Sequence, residues 1–222
     1  MTQSKSLVWR DARKIRFTAS SASKVPIKDT PDCTNFIREH LHSKFVGNKF
    51  TKHGQENEHI AKEYMISNGY DLVEKGIFVS VEENWLSACP DGILNGDTVI
   101  EIKCPVLTTK WSTLNELFHS KKYDVFITQA GNVELNVKGT RRFYMQVQLT
   151  MFCTGLKKCK LLIWLSPNDF KFIDVKYDDT FARDNVNMFR SFYAKKMMNG
   201  IVDEIEEDRL VFNKSFKKFM RL

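Results

Sequence analysis

The chain has 222 residues, 42% hydrophobic and 27% charged, with only 10 Gly and 5 Pro; this excludes a collagenous, low-complexity or mainly disordered polymer. Thirty-four Lys and Arg against 27 Asp and Glu give a net charge of +7 and a sequence pI near 9.1, which points to a polyanionic partner, nucleic acid first. The longest purely apolar run is 161–165, far short of the ~18 residues of a membrane helix, and MTQSKSLVWRDARK has no secretion-signal core, so an intracellular protein (cytoplasmic or nuclear) with no membrane partner is expected.

In chain order, residues 4–24 open with Trp9 and a cluster of Arg10, Arg13, Lys14 and Arg16. They end in the hydroxyl-rich Thr18-Ala19-Ser20-Ser21, suited to capping a helix. Phe36, Ile37, Leu41 and Phe45 at helical spacing predict a helix over 33–46, and 54–68 predicts a second, stopped by Gly69. The middle shifts to period two: 77–81, 85–88, 92–94 and 98–104 read as short strands, with Asn95-Gly96 as a hairpin signal. Residues 142–156 return to helix, 159–165 and 170–177 form two more strands, and a last helix runs over 180–199 to Gly200. The expected class is α/β, with one domain over 1–202 and a charged tail over 203–222, where five acids (Asp203 to Asp208) precede five bases (Arg209 to Arg221). Five scattered cysteines without a CxxC pair read as reduced thiols.

The stretch with most chemistry is Cys89-Pro90-Asp91-Gly92, followed by Glu101-Ile102-Lys103. Alternation along a strand puts Val99, Glu101 and Lys103 on one face and Ile100, Ile102 and Cys104 on the other, so Glu101 and Lys103 project together, roughly 6–7 Å apart at their Cα atoms. Asp91, on the preceding strand's turn, reaches the same place. Two carboxylates suit a hard divalent cation such as Mg²⁺, and a neighbouring lysine can orient a water or offset transition-state charge. By themselves these residues also fit an ordinary Pro-Asp-Gly turn and a solvated strand face.

Four blocks in order are similar to the lambda-exonuclease/YqaJ-type viral recombinase family of PD-(D/E)XK nucleases. They are Trp9, Arg13 and Thr18-Ala19-Ser20; Gly54, Glu58 and Ala61; Ala88 to Gly92 with Ile100 to Pro105; and Tyr144, Gln146, Val147 and Gln148. The chain departs from the family at Cys89, where serine is usual, and at Ile15, where many relatives have glycine. The resemblance implies a restriction-endonuclease-like core, a central mixed β-sheet flanked by helices, and a Mg²⁺-dependent deoxyribonuclease, with Mn²⁺ as substitute and one or two ions. It assigns Glu58, Asp91, Glu101 and the Ile102 carbonyl to the metal, and Lys103 to the water. Gln148 stands near metal or water, and Arg13 and Ser20 hold the 5′-phosphate, with Gln146 on the DNA side.

Several alternatives stay open at this level. Arg10, Arg13 and Arg16 all lie in reach of the phosphate role, and counting back from Thr18 favours Arg13. Helix spacing divides evenly between Glu56 and Glu58 as flanks of a stripe formed by Ile60, Ala61, Tyr64 and Met65; the family register selects Glu58. His40 and His42 read as exposed, and the basic loops at 121–123 and 138–142 as a DNA path or as solvated turns, with the net charge of the body favouring the former. The expected function is a 5′→3′ exonuclease on linear double-stranded DNA ends in recombination, repair or viral DNA processing. The resemblance adds a homotrimer and a single-strand-annealing protein as partner. The competing readings are an endonuclease of the same fold and an inactive DNA-binding scaffold.

Overall fold

The computed structural model describes residues 6–26, 33–42 and 47–220. Its centre is a five-stranded mixed sheet. In chain order its strands are β2 (Leu72–Val73), β5 (Gly92–Leu94), β6 (Thr98–Lys103), β9 (Lys158–Ser166) and β10 (Asp169–Lys176), and in space they run β10-β9-β6-β5-β2. Within this sheet only β6 and β9 pair in parallel, Glu101 opposite Leu161 and Lys103 opposite Ile163; its other pairs are antiparallel. A smaller sheet of β1 (Phe17–Thr18), β4 (Leu86–Ala88) and β3 (Phe78–Val79) lies in the order β1-β4-β3, and β7 (Val125–Ile127) with β8 (Val133–Leu135) forms a hairpin.

Two helices cover the central sheet. Helix α3 (Lys49–Ser67) lays Ala61 and Met65 on Ile100, Ile102, Leu162 and Trp164. Helix α5 (Phe143–Thr154) lays Val147 and Met151 on Val99, Leu161 and Ile163, while its Met145, Leu149 and Cys153 turn to the core of the smaller sheet. This wedge between two cores explains why α5 is apolar nearly all round, a pattern that period alone cannot orient. The remaining helices are α1 (Leu7–Lys14), α2 (Thr34–Leu41), α4 (Leu114–His119), α6 (Asp179–Phe192), α7 (Met198–Glu206) and α8 (Lys214–Met220). Among the described residues no helix is long and apolar enough to cross a membrane, and all five cysteines are free thiols.

The structure corrects several sequence expectations. Helix α3 starts at Lys49, five residues before Gly54, because Asn48 and Thr51 form a capping box: the Asn48 carboxamide oxygen accepts from Phe50 N (3.0 Å) and Thr51 N (2.9 Å). Ile60, expected in the buried stripe, is 47% exposed. The described part of the helix expected over 33–46 is Thr34–Leu41, and Phe45 lies outside the described residues. The last helix does not stop at Gly200. A π-turn at Tyr193–Met197 joins α6 to α7 without a break. Gly200 serves packing instead, since a Cβ there would lie 2.6 Å from Ile37 Cγ2 on α2.

Beyond residue 203 the chain packs on the body. Glu204 is buried and paired with His42 (2.6 Å) and Arg209 (3.0 Å), Phe216 is fully buried, and buried Asp11 of α1 accepts from Asn213 N at 2.7 Å. His40, expected to be exposed, packs edge-on against Phe17 at 5.6 Å with its Nε2 3.1 Å from the Arg16 carbonyl.

Candidate active site

The β5–β6 hairpin builds the centre of the site. Asn95 (φ 52°) and Gly96 (φ 73°) supply the left-handed turn that the Asn-Gly pair announces. Its register sets Gly92 opposite Ile100, with Asp91 just beyond. Asp91 N donates to the Ile100 carbonyl (3.1 Å), and Asp91 Oδ2 accepts from Ile102 N (2.6 Å), so the acid is pinned across the hairpin. Gly92 packs closely on β2: a Cβ there would lie 2.5 Å from Leu72 Cδ1, so the leucine would have to turn aside.

Glu101 is 3% exposed, in the middle of a strand paired on both sides. Its Oε1 accepts from Lys103 Nζ (2.6 Å) and from Gln146 Nε2 (2.5 Å) on α5, and Lys103 Nζ also donates to Gln146 Oε1 (3.1 Å). The ammonium lies 5.2 Å from the Phe143 ring centre. Glu101 Oε2 is buried and has no hydrogen-bond partner. Desolvation, with the negative charges of Glu101 and Glu58, pushes Asp91 well above the usual carboxylate range. Burial pulls Lys103 down, but the charges of Glu101 and Asp91 outweigh it and raise the ammonium's pKa.

Glu58 enters from α3. Residues 58, 61, 62 and 65 share one face, and Ala61 and Met65 pack on β6 while Glu58 stays one-third exposed at the site's edge. Its Oε1 lies 2.8 Å from Nζ of Lys62, a buried lysine that also lies 3.2 Å from Glu74. Sequence reasoning passed over Lys62, since a lysine within an apolar stripe reads as an interruption. Glu56 is largely exposed and only 3.8 Å from Lys52.

The two glutamines separate. Gln146 belongs to the cluster. Gln148 is fully buried elsewhere: its Nε2 donates to the Lys176 carbonyl (2.9 Å) and its Oε1 accepts from Asp178 N (2.8 Å), fastening α5 to the β10–α6 junction. The structure therefore does not bring Gln148 to the cluster, its polar atoms being committed on another face of the helix.

Helix α1 approaches through Cys89. Arg13 stacks over the Trp9 ring at 4.5 Å and its Nη1 is 3.5 Å from Cys89 Sγ, which also accepts from Trp9 Nε1 at 3.3 Å. Arg16 is tied to the Asn84 (2.8 Å) and Ala12 (3.0 Å) carbonyls. Ser20 is exposed, its hydroxyl 3.1 Å from that of Thr18, which also meets Ser21 at 2.9 Å. Among the described residues no helix is capped by Ser20.

Three carboxylates (Glu58, Asp91, Glu101) thus face two ammoniums (Lys62, Lys103), with one buried carboxylate oxygen left without a donor. That excess of acid and the orphaned oxygen fit a hard divalent cation. Among the described residues, no three His, Cys, Asp or Glu side chains come together closely enough to hold a metal ion by themselves.

Residues 8–157 match the YqaJ-like viral recombinase domain. The fold is similar to that of an alkaline exonuclease (LHK-Exo) from Laribacter hongkongensis at 20% identity and TM-score 0.63, covering 90% of this chain and 97% of that one. The same protein in complex with dAMP aligns at 19% identity and TM-score 0.63, covering 90% and 98%. A phage related exonuclease from Haemophilus somnus 129PT aligns at 15% identity and TM-score 0.56, covering 86% and 96%. At such identities the likeness concerns the fold, and it agrees with the restriction-endonuclease-like core expected above. No curated protein matches the sequence.

Proposed function

This chain belongs to the YqaJ-like viral recombinase domain family, and from that premise we propose that it is a Mg²⁺-dependent exodeoxyribonuclease that degrades linear double-stranded DNA in the 5′→3′ direction. The observation that carries the reading is the meeting of Asp91, Glu101, Lys103 and Gln146 on the β5–β6 hairpin and α5, with Glu101 Oε2 buried and unpartnered.

Glu58, Asp91, Glu101 and the Ile102 carbonyl are the groups that would hold the ion or ion pair, with Mn²⁺ as substitute. When bound, it supplies Lewis acidity at the phosphodiester and a more acidic water. Lys103 carries a positive charge at the point where negative charge grows on the phosphoryl oxygens, and it can donate to the attacking water's oxygen or to the phosphate. Gln146 fixes both groups, donating to Glu101 Oε1 and accepting from Lys103 Nζ. The Arg13 guanidinium, held flat by Trp9, offers a bidentate contact to a terminal 5′-phosphate, and the exposed Ser20 hydroxyl offers one more donor. The same reading includes DNA processing in recombination, repair or viral replication, a homotrimer, and a single-strand-annealing partner.

The test is digestion of a linear duplex labelled separately at each end, with Mg²⁺ or EDTA, by wild type and Lys103→Ala. Progressive loss from 5′-phosphorylated ends, absent in EDTA and in the variant, is the expected result. Nicking of a closed plasmid would replace the reading with an endonuclease. Salt-dependent DNA binding without cleavage would leave only a scaffold.

A further inference from the structure

Lys62 has no place in the mechanism above, yet it is the most buried lysine at the site. It lies on the inner face of α3 between Ala61 and Met65, with its side chain 11% exposed, against 32% for Glu58 and 59% for Glu74. A buried ammonium persists only when paired. Lys62 has two partners of unequal setting: Glu58 at 2.8 Å on the site side and Glu74 at 3.2 Å toward solvent, in the segment after β2. A lysine head is a compact charge on a flexible stem, so a small rotation moves it from one carboxylate to the other.

We propose that Lys62 is an internal counter-ion that occupies the cation position at Glu58 in the metal-free protein and yields it to a divalent ion by shifting onto Glu74. This rests on the metal-dependent reading of the site and adds a regulator of ion affinity to it. In the metal-free protein the ammonium offsets repulsion among Glu58, Asp91 and Glu101. On ion binding it must leave, and Glu74 keeps it paired in its new position. Lys62 thus sets the ion concentration at which the site fills, through competition, while touching neither DNA nor the reacting atoms.

The experiment titrates the DNA-free full chain with Mn²⁺, following binding by calorimetry or electron paramagnetic resonance, and records the melting temperature in EDTA and in saturating Mn²⁺. Lys62→Met is expected to bind Mn²⁺ about tenfold more tightly (about 1.4 kcal/mol). It should melt below wild type in EDTA and recover in Mn²⁺. Glu74→Gln, an exposed position, is expected to bind the ion about two- to fivefold more weakly, the fold-change for the ~0.4–1 kcal/mol of an exposed pair. Equal or weaker binding by Lys62→Met would make Lys62 a strut for Glu58 and overturn the proposal. If that variant fails to fold, unchanged or tighter binding by Glu74→Gln overturns it equally. Wild type that binds no Mn²⁺ would instead remove the metal-dependent reading itself.

Discussion

The loop before α5 offers a sharp test of how that helix is positioned. Asp124 is 1% exposed, and its carboxylate accepts from Arg141 N (2.9 Å) and Phe143 N (3.1 Å), donors at the start of the helix that carries Gln146. Gly139 lies directly on that carboxylate: a Cβ there would be 2.2 Å from Asp124 Cγ and 2.4 and 2.6 Å from its oxygens. Asp124→Ala strips two backbone donors of a charged acceptor, a loss of about 3 kcal/mol. Gly139→Ala forces the loop or the carboxylate aside, at about 1–3 kcal/mol. For a chain of this length each kcal/mol shifts the melting temperature by about 2–4 °C, so Asp124→Ala should melt roughly 6–12 °C lower. In the double variant the clash has no carboxylate to meet, and its stability should equal that of Asp124→Ala within about 0.5 kcal/mol. Chemical denaturation of the four proteins measures this cycle. Simple additivity of the two losses, or a Gly139→Ala protein as stable as wild type, would refute the contact and the clamp built on it.

Two further outcomes follow from the geometry. Gln148→Ala leaves the Lys176 carbonyl and the Asp178 N–H unpaired and should lose about 2–3 kcal/mol of stability with little change in rate per folded molecule, whereas Gln146→Ala should keep its stability and lose at least about tenfold in nuclease rate; the reverse pattern would exchange their roles. Glu204 is held down to about 2 by hydrogen bonds from Arg209 and His42. A carboxyl depressed in the folded state contributes stability that is complete above its unfolded value near 4.3 and is lost as pH falls through about 2. Hydrogen exchange should therefore show 204–220 loosening between about pH 4 and 2, and Glu204→Gln should remove that pH dependence; an identical acid profile in the variant would refute the assignment.

What the sequence revealed depended on how strongly each periodicity was tied to burial. The alternation of β6 was readable because the strand is buried on both faces, with Val99 going to the α5 core and Ile100 and Ile102 to the α3 core. That fixes the side on which Glu101 and Lys103 stand. The resemblance set Gln148 beside the metal and Gln146 on the DNA side, and α5 could not test that order, since seven of its twelve residues are buried, none is exposed, and no polar face sets its phase. Ile60 entered the stripe, and Lys62 was left out, because hydropathy does not register an ammonium buried by pairing with two acids. β1, β2, the β7–β8 hairpin and α4 carried too few residues for any period to emerge. Family resemblance separated Glu58 from Glu56, a distinction of helical phase that the exposed cap at Asn48 did not disclose.

The π-turn at Tyr193–Met197 works as a vernier. An α-helix advances about 100° per residue, so Phe189 and Met197, eight positions apart, would lie about 80° out of step on an unbroken helix. The surplus residue cancels most of that offset, and both side chains reach the same core at 0% exposure. Tyr193, where the turn begins, stacks on Trp85 at 5.4 Å and donates to the Ile15 carbonyl at 2.7 Å, and beyond the turn Glu204 meets His42 and Arg209. At this point the fold reads chain length before residue identity. The register of everything after residue 197 is inherited from a single inserted peptide unit.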